Sequence, residues 1–442
     1  MRAPLREVSH PETSLAATVR GVLAAMLVLL LAAVGPLAGP ARAQIENAPL
    51  LLADLDTGAV LFERNATMPW YPASLTKMMT AYVALDAVRR GRASMNALLV
   101  VSEKAASMPP SKMGFRPGSQ ITLENALRII MVKSANDVAW TIAENLGGGS
   151  AETFVAEMNA TARQLGMADS RFTNPSGLPD LSKRTTARDM ALLAQALWRD
   201  FPRQRDLYSM QAIAYGSTVM TNHNGVIGRY EGATGMKTGY VCSSGFNVVA
   251  TAERNGRRLV AVVMGQMSSR ERTALTASLL EHGFRSRGLF GFGGGGGGTL
   301  TSLPRSAVTS PPDLRPIVCD PNRRRGGESD DDTQAIVVAG ATPGASDALA
   351  FFAAQSTTLP RVDLPERRPV EPVRVFLGLP EGVSAPPAPT VAAVAGAPRP
   401  LGAGLPLNIL PPPRDVPLIA GLPPAEAPRT VATPLPPRRP AF

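Results

Sequence analysis

GMKTGYVCSSGFNVVATAERNGRRLVAVVMG, residues 235–265, decides the fold. It holds three successive strand candidates, 235–243, 246–254 and 257–265, rich in β-branched and aromatic residues. The last two are joined by Asn255-Gly256, the pair that best suits a two-residue hairpin turn. Residues 271–282 then return as a helix with Leu275, Leu279 and Leu280 inward. Far upstream, residues 50–55 and 60–63 flank Asp56-Thr57-Gly58 as a second hairpin. Between these ends lie helices at 74–88, set up by Pro72 and closed by Gly91, at 122–131 and 138–146 with a break at Ser134-Ala135-Asn136-Asp137, and at 187–198. Strands at both ends with helices between predict an α+β domain whose single antiparallel sheet is completed by both ends of the domain.

The 442 residues divide unevenly. Residues 1–43 read as a signal peptide: Arg2, Arg6 and Arg20 precede the apolar run 21–34, and Ala41-Arg42-Ala43 offers small residues at the cleavage positions. Gly35-Pro36 and Gly39-Pro40 interrupt the run before it reaches the ~20 apolar residues of a membrane span. The expected product is exported, extracytoplasmic or periplasmic, beginning near Gln44. Residues 44–292 form the expected folded domain, 293–299 a glycine linker, and 300–442 a Pro-rich tail. Of the 41 prolines, 28 lie in 301–442, so the tail is expected to be extended and largely disordered, and dispensable for folding. The glycines satisfy G-x-G-x-x-G, but with no βαβ unit they read as linker rather than phosphate loop.

A formal charge of +10 invites a nucleic-acid partner, yet the excess is thinly spread. Lys+Arg against Asp+Glu is 4 against 2 over 1–43, 27 against 20 over 44–300 and 14 against 13 beyond, with no five-residue basic run. Solvated surface is the expected reading, with no nucleic-acid partner. Cys242 and Cys319 allow at most one bridge, with one partner in the tail, and no Cys-rich metal site. Beyond the signal segment only His223 and His282 remain, too few for a His-based zinc site, and neither a metal nor a cofactor is expected.

The chemistry starts with lysine. The chain carries 39 Arg and 6 Lys, so a lysine is where a lysine is needed; Arg cannot lose its proton, whereas a desolvated Lys can act as a base. Lys77 follows Ser74 by three residues on one helix face, among Leu75, Met78, Met79 and Tyr82. Alone, S-x-x-K is more often a capping Ser and a snorkelling Lys. Ser134-Ala135-Asn136 follows in a helix break that can present both polar side chains to a cleft, although such a junction is also an ordinary helix cap. Lys237-Thr238-Gly239 lies within a strand, where a glycine often marks close approach by another backbone.

In this order the three motifs resemble the active-site signatures of the penicillin-binding protein and serine β-lactamase superfamily. With Asp56-Thr57-Gly58, Pro72-Ala73-Ser74-Leu75-Thr76-Lys77, Thr173-Asn174-Pro175-Ser176-Gly177-Leu178, Thr186-Ala187-Arg188-Asp189-Met190 and Gly235-Met236-Lys237-Thr238-Gly239-Tyr240, the chain is similar to the D-alanyl-D-alanine carboxypeptidases over roughly residues 44–284. The resemblance implies a β-lactamase/transpeptidase-like fold and an acyl-enzyme on Ser74, with peptidoglycan stem peptides as substrates and β-lactams as covalent inhibitors. It assigns Ser74 as nucleophile and Lys77 as base. Ser134 and Asn136 become proton relay and amide anchor, and Lys237 orients Ser134. Thr238 binds the terminal carboxylate, with Arg272, or less favourably Arg270, as its cationic partner. The backbone N–H groups of Ser74 and Tyr240 form the oxyanion hole, and the substrate lies along the strand through Gly239.

Two positions depart from the family pattern, Ser176 for a common His and Ala135 for a common Gly. The tail shows neither the second β-rich domain nor the terminal amphipathic helix of many relatives, so membrane tethering is doubtful and the tail's partner is unknown. Endopeptidase action on crosslinks and a class A β-lactamase are the alternatives. The second lacks a Glu-x-x-Leu-Asn run, with Asp169, Asp180 and Asp189 the acidic residues near the expected loop. A non-catalytic wall-binding protein is a more distant reading.

Overall fold

The computed structural model describes residues 48–286, 298–320 and 359–379. The chain separates into units 1–389 and 390–442; the second unit and the expected signal peptide lie outside the described residues, as does the glycine linker up to 297.

The N-terminal hairpin is β1 (Leu50–Asp54) and β2 (Val60–Arg64), followed by helix α1 (Thr76–Arg89). Short strands β3 (Leu98–Val100) and β4 (Gln120–Thr122) pair before α2 (Leu123–Val132), α3 (Asn136–Leu146), α4 (Ala151–Gln164) and α5 (Ala187–Asp200). A small hairpin, β5 (Ala212–Tyr215) and β6 (Thr218–Thr221), leads to β7 (Ala233–Val241), β8 (Gly245–Arg254), β9 (Arg257–Gln266) and α6 (Ser269–Arg285). The main sheet has the order β2-β1-β9-β8-β7, antiparallel throughout. β1 pairs with β9, Leu50 opposite Val263, so both ends of the domain complete one sheet, as the sequence predicts.

The strands are apolar on both faces because both faces are covered. Leu51 and Ala53 of β1 with Val260, Val262 and Met264 of β9 face the helical layer around α1. Leu50 and Leu52 with Leu259, Ala261 and Val263 face α6, which contributes Leu275, Leu279 and Leu280. That is the period-2 alternation of a strand placed between two cores. At the β8–β9 turn Asn255 and Gly256 take φ of 51° and 74°, the left-handed pair a tight hairpin requires. Helix α4 is not anticipated from the sequence. Its inward stripe is narrow, Phe154, Met158 and Ala162, and Ser150 caps it by accepting from Thr153 N at 3.2 Å.

The tail differs from its expectation. Among the described residues, two stretches of it, 300–320 and 359–379, are bound to the domain. Leu300 N donates to Gly58 O, Thr67 Oγ1 to Pro304 O, and Leu314 N to Ser243 O. Leu300 and Leu314 are buried, and Cys319 forms a disulfide with Cys242. Farther on, β10 (Val373–Arg374) pairs in parallel with β5, Val375 is buried, and Asn125 Nδ2 donates to Phe376 O. The fold therefore does not close at 292. Apolar residues spaced among prolines escape a periodicity reading, because an irregular strap buries single side chains rather than a face.

Candidate active site

Ser74 sits in a 3-10 turn, Ala73–Leu75, that leads into α1. Three anchors hold the segment before it. Trp70 is fully buried, exchanges backbone hydrogen bonds with Thr185 and donates its indole N–H to Ser244 O at 2.9 Å. Asn247 Nδ2 on β8 donates to Tyr71 O at 3.0 Å. Ala73 has φ of 49°, a left-handed conformation that costs on the order of 1–3 kcal/mol for a non-glycine residue and persists only when its surroundings enforce it.

Lys77 is fully buried one turn along. Its Nζ lies 3.1 Å from Ser74 Oγ, 2.8 Å from Asn136 Oδ1 and 2.6 Å from Ser176 O. Asn136 is expected in the loop between helices but is the first residue of α3. Ser134, with φ of 64°, makes the break, and Asn136 N bonds out to Ser111 O at 2.7 Å. Asn136 Nδ2 donates to Pro109 O, so its oxygen is turned toward Lys77. Ser134 Oγ is buried and has no hydrogen-bond partner among the described residues. Such a group is costly unless something completes it.

Strand β7 passes directly over the Ser74 turn. A Cβ on Gly239 would lie 2.8 Å from Pro72 O, 2.9 Å from Ser74 N and 3.0 Å from Leu75 N, so only glycine fits at the crossing. Lys237 and Thr238 are buried beside it, and by strand alternation Lys237 shares the face of Gly239. Tyr240 follows, its ring 4.3 Å from that of Phe246 across the sheet. Arg272 of α6 is buried, donates to His223 O at 2.8 Å and lies 5.8 Å from the Phe246 ring, while Arg270 is exposed. His223 lends its carbonyl to Arg272, and His282 lies edge-on to Phe62. Among the described residues no group of three or more His, Cys, Asp or Glu could hold a metal ion, and no helix is long and apolar enough to cross a membrane.

A family model described as D-alanyl-D-alanine carboxypeptidase, peptidase S11, matches residues 37–268, more than half of the chain. The chain belongs to this family. It is 34% identical over 246 residues to the D-alanyl-D-alanine carboxypeptidase DacA of Haemophilus influenzae, a match covering 54% of this chain and 62% of the relative. The chain therefore spans less than two thirds of that relative's length. It is similar to the crystal structure of penicillin binding protein 5 from Haemophilus influenzae, with a TM-score of 0.52, 33% identity and coverage of 55% of this chain and 71% of that one. It is also similar to penicillin-binding protein D2 from Listeria monocytogenes in the cefotaxime bound form, with a TM-score of 0.50, 27% identity and coverage of 54% and 98%. The fold is thus the α+β arrangement of the penicillin-binding proteins.

Several supports of this S11 site have no role legible in the sequence. A Cβ on Gly177, at φ of 88°, would lie 1.9 Å from Ala73 O, so the Thr173–Leu178 motif presses on the nucleophile turn while Ser176 O accepts from Lys77. Asn174 Oδ1 holds that loop by accepting from Gly177 N at 2.8 Å and from Lys183 Nζ at 2.8 Å; Lys183 also donates to Leu178 O. Lysine scarcity is a signal that could have found Lys183. Asp169 and Asp189 are bound to Arg188, and Asp180 accepts from Ser182, so these carboxylates are engaged in holding the loop region.

Burial lowers the Lys183 pKa to about 7, with Asp180 opposing the shift. Unfolded, the same amine keeps its proton to ~10.4. Between these values the unfolded chain binds the extra proton, so this residue makes stability rise with pH across that window. In Lys183→Met that component disappears. The difference in urea midpoint between about pH 7 and about pH 9.5 is expected to be smaller than in the parent. An equal difference in both proteins would show that Lys183 is not titrating there.

Proposed function

We propose that this chain is an exported serine D-alanyl-D-alanine carboxypeptidase that removes the terminal D-alanine from peptidoglycan stem pentapeptides. The observation that carries this is the Lys77 amine between Ser74 Oγ, Asn136 Oδ1 and Ser176 O. A neutral amine that donates its two N–H to Asn136 and Ser176, the shorter contacts, turns its lone pair to Ser74. Lys77 then accepts the Ser74 proton as Oγ attacks the penultimate D-alanine carbonyl. The oxyanion forms against the N–H groups of Ser74 and Tyr240, brought together where β7 crosses at Gly239. Such donors contribute about 3 kcal/mol each to lowering a barrier. The proton passes through Ser134, whose hydroxyl a substrate would complete, to the departing amine of D-alanine. Water then cleaves the ester. Thr238 with Arg272 takes the terminal carboxylate, and Lys237 sets the local potential. Export is supported by the charged, apolar and small-residue pattern of residues 1–43.

Penicillin presents the same acyl group with its leaving nitrogen tethered, so the opened ring obstructs water. The carboxylates of Asp169, Asp180 and Asp189, the acidic residues where a lactamase would carry its water-activating Glu in sequence, are engaged with Arg188 and Ser182. The adduct is therefore expected to persist for minutes, whereas an ordinary β-lactamase, at ~1–10³ turnovers per second, clears it in seconds. Intact-protein mass spectrometry after a short pulse should show a gain of one drug mass that is absent in Ser74→Ala. Fast multiple-turnover hydrolysis would support the lactamase reading instead. Released D-alanine from a pentapeptide, against split crosslinks from a muropeptide dimer, separates carboxypeptidase from endopeptidase.

A further inference from the structure

The first bound stretch of the tail ends against the C-terminal end of β7, at Cys242 and Tyr240. Leu314 is buried and its N–H takes the Ser243 carbonyl at 3.1 Å, two residues past the end of β7. A short helix, Arg315–Val318, leads to Cys319, which is bonded to Cys242 and lies 3.3 Å from the Tyr240 hydroxyl. On the other side, burial first and then the Asp313 carboxylate raise the Tyr71 phenol above its ordinary pKa while Arg315 opposes them, so both charges act on the residue three before Ser74. The segment thus acts on Tyr71 at one end and touches Tyr240 at the other, the residues that flank Ser74 and Gly239 in the chain.

Among the described residues β7 pairs in the main sheet with β8 alone and is its edge strand, so the other edge is where a peptide strand can add. With the carboxylate at Thr238 and the scissile carbonyl at the Tyr240 N–H, a peptide on that edge runs antiparallel to β7. Its residues before the last two then pass Val241, Cys242 and Ser243, where the tail segment is stapled. Asp313 and Arg315 have side chains 46% and 54% exposed, 3.9 Å apart, and thus offer a carboxylate and a guanidinium to the peptide. We infer that residues 313–319 form the acyl-donor wall of the substrate cleft and select peptides by the residues that precede D-alanyl-D-alanine. This rests on the carboxypeptidase reading above. It assigns the tail a part in specificity, with the disulfide as the fastening that holds the wall in place.

The test compares kcat/KM on an N-acyl-D-alanyl-D-alanine dipeptide and on a stem pentapeptide, using the full chain. Asp313→Ala/Arg315→Ala alters only half-exposed side chains. It should lower the pentapeptide-to-dipeptide ratio on the order of fivefold, the scale of a surface charge contact. Cys242→Ser/Cys319→Ser releases the whole wall and should shift the ratio in the same direction by more. A ratio unchanged in the charge variant overturns the inference, and so does a loss shared equally by both substrates, the mark of a purely structural strap. If the parent releases D-alanine from neither substrate, the peptidase reading falls and the specificity role with it, a result distinct from an unaltered ratio.

Discussion

Lys77→Arg is expected to abolish acylation of Ser74 while keeping the positive charge. The guanidinium cannot accept a proton at any accessible pH, so the step that makes Oγ a nucleophile loses its acceptor. Loss of the base is expected to lower the second-order rate of penicillin acylation by at least about a thousandfold. Because Lys77 is fully buried between three oxygens, the bulkier fork of Arg could also disturb packing. Lys77→Met guards against that: it is apolar and of similar length, keeps the neighbours in place and equally lacks a base. Thermal unfolding establishes that each variant is folded. Near-normal acylation by either folded variant would sink the assignment of Lys77 as base.

Removing residues 299–442 is expected to destabilise the domain severely, against the expectation from proline content. The truncation takes away Leu300, Leu314, Val318 and Val375, all buried, and opens the Cys242–Cys319 bridge across a separation of 77 residues. Losing one buried leucine typically costs ~2–5 kcal/mol, and a bridge across a loop of that length adds about 4 kcal/mol by chain entropy. Against a total of ~5–15 kcal/mol for an ordinary domain, little is left. The truncated protein should unfold at much lower temperature, or fail to accumulate in folded form. A second truncation after residue 320 keeps the disulfide and, of the described residues, loses 359–379, so its stability should fall between the parent's and that of the first truncation. A fully stable 48–298 fragment would show that the bound stretches of the tail are not part of the fold.

The main sheet and the reactive side chains are legible in local sequence. Strand periodicity at 235–265 and the Asn255-Gly256 turn are local properties, written in consecutive residues, and they reappear as β7, β8 and β9. Ser74 and Lys77 were legible because three residues bring two side chains onto one helix face whatever surrounds them. Gly239 was legible as a point of close approach, though not what approaches it.

The company these groups keep is fixed only on folding. That Lys77 meets Asn136 and the Ser176 carbonyl depends on residues 59 and 99 positions away in the chain, and no spacing rule reaches so far. Ser176 contributes its main-chain oxygen, which every residue carries, so its side chain gave no hint of that contact. Gly177 and Lys183 hold the nucleophile turn through a loop whose contacts are all backbone or single polar atoms. The bound stretches of the tail escape the sequence for the same reason: prolines report that a segment cannot be a helix or a central strand, but not where a lone leucine or cysteine is buried. Those contacts are made one side chain at a time, across long loops, and only the folded domain supplies the partner.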